Sequence, residues 1–271
     1  MDDETPVELR RLWRLPSSSR RGRPAELDVE RVVRAAVELA DRDGLPGVSL
    51  PKIARALDVT SMSLYRHVGS KEELLALLED AATGPPPEPA TDPTDWRAGL
   101  REWAMAVREV YRRRPWLARI PITGPPAGPN LLAWMEAALR VLRDTPLDPA
   151  AKLGVITLVN GYVRTAAQQA QDLGASWQEP DTVQAYGRSL ARLVTADRFP
   201  ELAKLLASGL FENPQQAPAA DDPDFVFGLD RILDGVAAAV HSTPVEDDVF
   251  AVPEPGNQQR RRSRRPPAGR V

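Results

Sequence analysis

Apolar residues recur at three- and four-residue steps through most of the chain, and no run alternates convincingly with a period of two. The pattern predicts an all-α protein. Proline sets its breaks: Pro85, Pro86, Pro87, Pro89 and Pro93 fall close together, PITGPPAGP occupies 121–129, and another cluster runs from Pro214 to Pro223. Proline lacks an N–H and clashes with the preceding turn, so these stretches are not helix interior. From Thr243 onward the chain is polar and proline-rich, then arginine-rich (RRRSRR, 260–265), with too little apolar content to fold. The expected organisation is an N-terminal basic arm (1–26), a compact helical unit (27–83), a linker (84–93), a larger helical domain (94–242) and a disordered tail (243–271).

The 27–83 unit carries legible start signals. Asp28 is placed to cap a helix whose apolar face runs Val32, Val33, Ala36, Val37, Ala40 and which ends at Gly44. Ser49 caps the next helix through the N–H of Lys52, and Pro51 sits in its first turn, where a missing N–H costs nothing. Thr60 opens a third helix. Ser70 opens a fourth, and Ser70-Lys71-Glu72-Glu73 fits a capping box. Leu27 with Val32, Val48 with Ile53 and Val59 with Leu64 occupy hydrophobic-staple positions. In the larger domain, helices are expected at about 94–112, 115–119, 129–144, 148–173, 180–195, 199–210 and 223–241 from apolar spacing.

Composition narrows the chemistry. The 271 residues contain no cysteine, which removes disulfides, thiolate metal sites and a cysteine nucleophile. Only His67 and His241 are available for imidazole chemistry, so neither a metal site nor a cofactor is expected. No apolar run approaches the ~18 residues of a membrane span, and MDDETPVELRR has no apolar region behind it, so a cytoplasmic location is expected. There is no nucleophile motif, glycine-rich phosphate loop or HExxH, which argues against an enzyme. The net charge is −3, and residues 1–80 hold 13 Lys/Arg against 15 Asp/Glu, so a nucleic-acid surface must be built by segregating charge on one face.

Only Leu57, Asp58 and Val59 join the second and third helices. Such a short link makes them cross steeply, as in a helix-turn-helix, and aspartate tolerates the left-handed backbone such a turn needs. The run VSLPKIARALDVTSMSLYRHVGSKEELLALLEDA (48–81), with RRGRPAELDVERVVRAAVELADRDGLPGVS before it, resembles the DNA-binding region of the TetR family. RRRPWLARIPITGPPAGPN and DPDFVFGLDRILDGV resemble, more weakly, the family's tetracycline-repressor-like C-terminal domain. The resemblance implies an N-terminal three-helix helix-turn-helix bundle and a larger helical ligand-binding and dimerisation domain. It further implies a regulator, expected to be a repressor, that binds double-stranded operator DNA and answers to a small-molecule effector.

Carried over by position, the family pattern puts Ser61, Met62, Ser63 and Arg66 toward the major groove, Tyr65 and His67 on phosphate, and Lys71 at the start of the fourth helix. Arg66 can fork onto guanine and Met62 can meet a thymine methyl, while Tyr65 and Lys71 offer donors to phosphate. Pro51 stands where the family often has a polar or basic residue, which leaves Ser49 as the contact expected from the second helix. Arg20, Arg21 and Arg23 form an arm that can enter the minor groove, and the 260–265 run can add non-specific attraction. Plainer readings stay open: Tyr65 packing on the first helix, His67 capping a helix end, and both arginine runs as solvated segments.

Trp103, Met105, Tyr111, Trp116, Trp134, Asn160, Tyr162 and Arg164 mix aromatic and polar chemistry on helices that can enclose a cavity, and the family reading makes some of them pocket lining. The alternative is that they are core. A homodimer is expected through 148–173 and 223–241, placing two recognition helices one or more DNA turns apart, about 34–36 Å for one turn, over a palindrome. The rival classes are an enzyme, or a helical scaffold that binds only protein.

Overall fold

The computed structural model describes residues 5–15, 27–92, 94–174, 179–209 and 223–242. The helices in chain order are α1 (Val7–Leu12), α2 (Val29–Asp43), α3 (Leu50–Leu57), α4 (Ser61–Val68), α5 (Lys71–Thr83), α6 (Trp96–Arg113), α7 (Pro129–Val141), α8 (Pro149–Leu173), α9 (Pro180–Leu193), α10 (Pro200–Ala207) and α11 (Pro223–His241). Short 3-10 turns occupy Leu45–Gly47 and Pro115–Arg119. Among the described residues there is no strand. The architecture is all-α, with a helix-turn-helix bundle leading into a larger helical domain.

Local side chains start the first four long helices. Asp28 accepts from the N–H of Arg31 at 2.8 Å, Ser49 from Lys52 at 3.4 Å, Thr60 from Ser63 at 3.3 Å and Ser70 from Glu73 at 3.1 Å. Each bond satisfies one of the donors a helix start leaves unpaired. Asp58 ends α3 in the left-handed conformation, with φ 56° and ψ 45°, which turns the chain directly into α4. The capping box at Ser70 forms only by half: the Glu73 carboxylate accepts from Arg11 at 2.9 and 3.0 Å instead of returning to the start of α5.

That arginine belongs to α1, a helix within the stretch expected as a basic arm. Leu12 is buried in the core of the N-terminal bundle beside Val32, Ile53, Leu64 and Leu77. The same core takes Trp116, Leu117 and Ile120 from beyond the linker. A second core joins α6, α7, α8 and α11 through Leu100, Trp134, Val159, Leu229 and Leu233. Arg97 and Arg101 of α6 pair with Asp234 and Asp230 of α11 across its edge.

The two parts are held by partly buried polar bonds. Asp80, 4% exposed near the end of α5, accepts from the backbone N–H groups of Asn130 at 2.9 Å and Leu131 at 3.0 Å, and from Asn130 Nδ2 at 3.1 Å. It therefore caps α7 from another element fifty residues away. Asn130 Nδ2 also donates to the Asp80 carbonyl at 3.0 Å. Burial pushes the Asp80 carboxyl above its ordinary range, and the N–H groups of Leu131 and Asn130 pull it back. Gly128 lies so close that a Cβ there would sit 2.0 Å from Asp80 Oδ1. Trp134 Nε1 donates to the Gly84 carbonyl at 2.9 Å, and Trp116 Nε1 to Asp41 at 2.8 Å.

Asp80→Leu leaves the start of α7 with unpaired, half-buried donors and is expected to cost about 3 kcal/mol, against about 1 kcal/mol for Asp80→Asn, which keeps one acceptor oxygen. Urea unfolding of the two variants measures this. Equal losses would show that the carboxylate contributes only bulk.

Candidate functional site

Helix α4 has two faces. Leu64 and Val68 are fully buried against α2 and α3. Four residues of the opposite side, Ser61, Met62, Tyr65 and Arg66, are linked by the three- and four-residue steps that share a helix face. Met62 is 71% and Tyr65 48% exposed, and Arg66 is exposed with no ion-pair partner among the described residues. Ser61, Ser63 and His67 are half-buried at the flanks. The Ser63 hydroxyl lies 2.9 Å from that of Thr60, so it is engaged in the cap of its own helix.

Lys71 is exposed on the first residue of α5, where the helix leaves N–H groups unpaired. Ser49 is half-buried, its hydroxyl turned to Lys52. Lys52 and Arg55 are also exposed on α3. They add cations that the reading of motifs did not single out. The surface is a patch of donors and one thioether raised on a short helix, suited to base edges and phosphate oxygens in a groove. Arg20, Arg21, Arg23 and the 260–265 run lie outside the described residues.

Beneath this bundle lies a cavity of about 630 Å³, within the size range of small-molecule sites. Its walls come from α6, α7 and α8, from the 120–128 loop, and from α5 and α1. Four of the expected pocket residues line it: Tyr111, Trp134, Asn160 and Arg164. Val107, Val110, Leu131, Met135 and Ile156 supply an apolar lining.

The polar end is concentrated. Arg164 donates to the Ile120 carbonyl. Burial pushes the phenol of Tyr111 up, and the Arg164 charge pulls it back. The Glu79 carboxyl is likewise raised by burial, opposed by Arg164 and reinforced by Asp80.

The other four expected residues are placed elsewhere. Trp103 packs edge-on to Trp134, with ring centroids 6.3 Å apart, and donates to the Trp134 carbonyl at 2.9 Å. It lines a smaller cleft of about 330 Å³ under the proline-rich linker. Met105 faces a shallow depression with Arg97 and Arg101. Trp116 is 7% exposed in the core of the N-terminal bundle. Tyr162 stacks on Phe225 at 5.3 Å and donates to the Phe225 carbonyl at 2.9 Å, which joins α8 to α11. Residue type alone did not separate lining from core. The 121–129 segment read only as a break, yet it forms one wall.

Among the described residues there is no acidic or imidazole cluster that could hold a metal ion, and no helix is long and apolar enough to cross a membrane.

Residues 32–78 match the model of bacterial regulatory proteins of the tetR family, and residues 88–240 match the tetracyclin repressor-like C-terminal domain. The HTH-type transcriptional repressor DrrR1 of Streptomyces coeruleorubidus is 36% identical over 237 residues, 84% of this chain and 84% of its own. Apo ActR from Streptomyces coelicolor aligns with a TM-score of 0.64 at 29% identity, over 80% of this chain and 99% of that one. ActR in complex with actinorhodin aligns equally well, at 28% identity, with the same TM-score and coverage. The family is one of regulators rather than enzymes, whose members bind DNA and small molecules as homodimers. With both halves matched and a relative covered over most of its length, the chain belongs to the TetR family of DNA-binding, ligand-responsive transcriptional regulators.

Proposed function

We propose that this protein is a repressor that holds a palindromic operator as a homodimer and releases it when a small amphipathic molecule occupies the 630 Å³ chamber. The observation that carries the DNA reading is the facing of α4: Leu64 and Val68 inward, Met62, Tyr65 and Arg66 outward. Arg66 reads a guanine, Met62 meets a thymine methyl, and Tyr65, His67 and Lys71 hold phosphates. Ser61, Ser63 and Ser49 stand at the edges of this contact. The arm bearing Arg21 and Arg23 adds minor-groove attraction.

Two copies pair through the outward faces of α8 and α11. On α8, Leu153, Gly154, Thr157, Leu158 and Gly161 are exposed, and on α11 Phe227 is 64% exposed with Gly235 and Ala238 on the same side. Apolar and small side chains left open on two adjacent helices suit close packing against a second pair. The dimer axis then sets the spacing of the two α4 helices, and the operator carries the same two-fold symmetry.

The chamber favours a ligand with a flat apolar body and an acceptor oxygen that meets Arg164, Tyr111 or Asn160. Release requires that this ligand bind more tightly to a form whose α4 helices are misspaced, and ligand and operator then weaken one another reciprocally. The Asp80–α7 cap and the Trp134–Gly84 bond hold the chamber walls to the bundle. Actinorhodin, bound by the ActR relative, is the first compound to test.

Gel shift on the DNA upstream of the gene, across about 50–200 mM salt, is expected to show binding at least ~10³-fold tighter than to scrambled DNA. Affinity no better than for scrambled DNA would remove the repressor reading.

With that operator in hand, Arg66→Ala is expected to cost about 1–3 kcal/mol and relax the preference at one base position, whereas Lys71→Ala weakens all sequences alike and lowers the salt slope by about one. Identical patterns for the two variants would contradict the roles assigned to them. Arg164→Met is expected to leave operator binding within about twofold while raising the concentration of a releasing ligand about tenfold or more, as loss of a charge-assisted bond implies. A ligand response unchanged in that variant would place recognition elsewhere.

A further inference from the structure

Helix α1 precedes the DNA-reading bundle, yet it touches three parts of the machine at once. Glu8, Leu9 and Leu12 line the chamber. Arg11 pairs with Glu73, whose side chain is only 8% exposed, in the first turn of α5. Immediately beyond the helix, Trp13 Nε1 donates to the Ala127 carbonyl at 2.9 Å, across to the loop that forms another chamber wall. Arg14 then pairs with Glu30 near the start of α2. The Arg11–Glu73 pair is closed over by Gly69, the residue that ends α4: a Cβ there would lie 2.6 Å from Arg11 Nη1 and 2.1 Å from Glu73 Oε2. The end of α4, the start of α5 and α1 therefore meet at one half-buried ion pair, next to the exposed Lys71.

We infer that α1 is a ligand-contacting wall of the chamber and the strap by which occupancy reaches the DNA-facing end of α5, with Leu9 and Leu12 as contact residues and Arg11 and Trp13 as positioning residues. This rests on the chamber being the effector site. A molecule that fills the chamber bears on Leu9 and Leu12 and displaces α1. The Trp13–Ala127 bond and the Arg11–Glu73 pair open together because one short helix carries both. Glu73, released, turns back to the N–H of Ser70, takes it from the Val68 carbonyl that it meets at 2.7 Å at the end of α4, and completes the capping box, which resets the α4–α5 junction and moves Lys71. The ion pair and the box compete for one carboxylate, so the junction has two discrete arrangements, as a switch needs.

The test uses the full chain and 8-anilinonaphthalene-1-sulfonate, whose fused rings suit the apolar lining and whose sulfonate suits Arg164. Amide exchange reads the strap through Arg10, Trp13 and Leu15, whose N–H groups are bonded to Pro6, Leu9 and Arg10. Saturating dye is expected to speed exchange at these amides about tenfold or more, while the amides of α2 hold. Arg11→Met, or the milder Trp13→Phe, is expected to lower dye-free operator affinity about fivefold and to shrink the dye's effect on operator binding to less than about twofold, because the coupling is already spent. Asn160→Trp, which fills the chamber from α8, is expected to abolish dye binding. Dye bound in the chamber with unchanged exchange at those three amides, or with a wild-type dye effect on operator binding in both strap variants, overturns the strap and leaves the chamber reading standing. Dye affinity unchanged by Asn160→Trp overturns both.

Discussion

A buried carboxylate that caps a helix from outside that helix imposes a strict geometry, and Asp80 does this between the two halves of the molecule. Its oxygens receive the N–H groups that start α7, and its own carbonyl receives the Asn130 side chain. The acceptor is buried and its donors are only partly open to water, so moving the carboxylate carries a cost and α5 and α7 keep their register. The orientation of α4 follows, because α4 is packed on α2 and α5 through Leu64 and Val68. The mouth of the chamber follows as well, since the loop that leads into α7 forms one of its walls.

Around that cap, the polar bonds between the halves join unlike elements: an indole to a helix-end carbonyl at Gly84, and an indole to a carboxylate at Asp41. Directional bonds of this kind resist sliding more than apolar contact does, and they break in discrete steps. A ligand that fills the chamber therefore meets a frame that yields at a few defined places. This is the property a regulator needs if small shifts near a ligand are to become a change in helix spacing.

The DNA-reading half was the more legible in sequence, for a physical reason. Asp28, Ser49, Thr60 and Ser70 act on N–H groups three residues ahead, so their chemistry is written in neighbouring letters. The left-handed turn at Asp58 is local in the same way. The role of Asp80 depends on donors fifty residues distant and looks like any acid at the end of an apolar helix. Helix α1 has only six residues and too few apolar positions to show a period, so it read as part of a basic arm. Trp116 and Tyr162 share residue type with chamber-lining aromatics, and only their partners, Asp41 and Phe225, separate them. Glu73 completes a capping motif in the sequence, but a guanidinium from another helix holds its side chain away.

The core of the N-terminal bundle includes Trp116, Leu117 and Ile120, which reach it from beyond the proline-rich linker. The linker is therefore not a seam between independently folding modules. A chimera joined there, carrying this reading head on a relative's sensing half, would have to rebuild one hydrophobic interior from two ancestries. Exchange of specificities by recombination within the family is thus constrained to partners whose residues at these three positions fill the same volume.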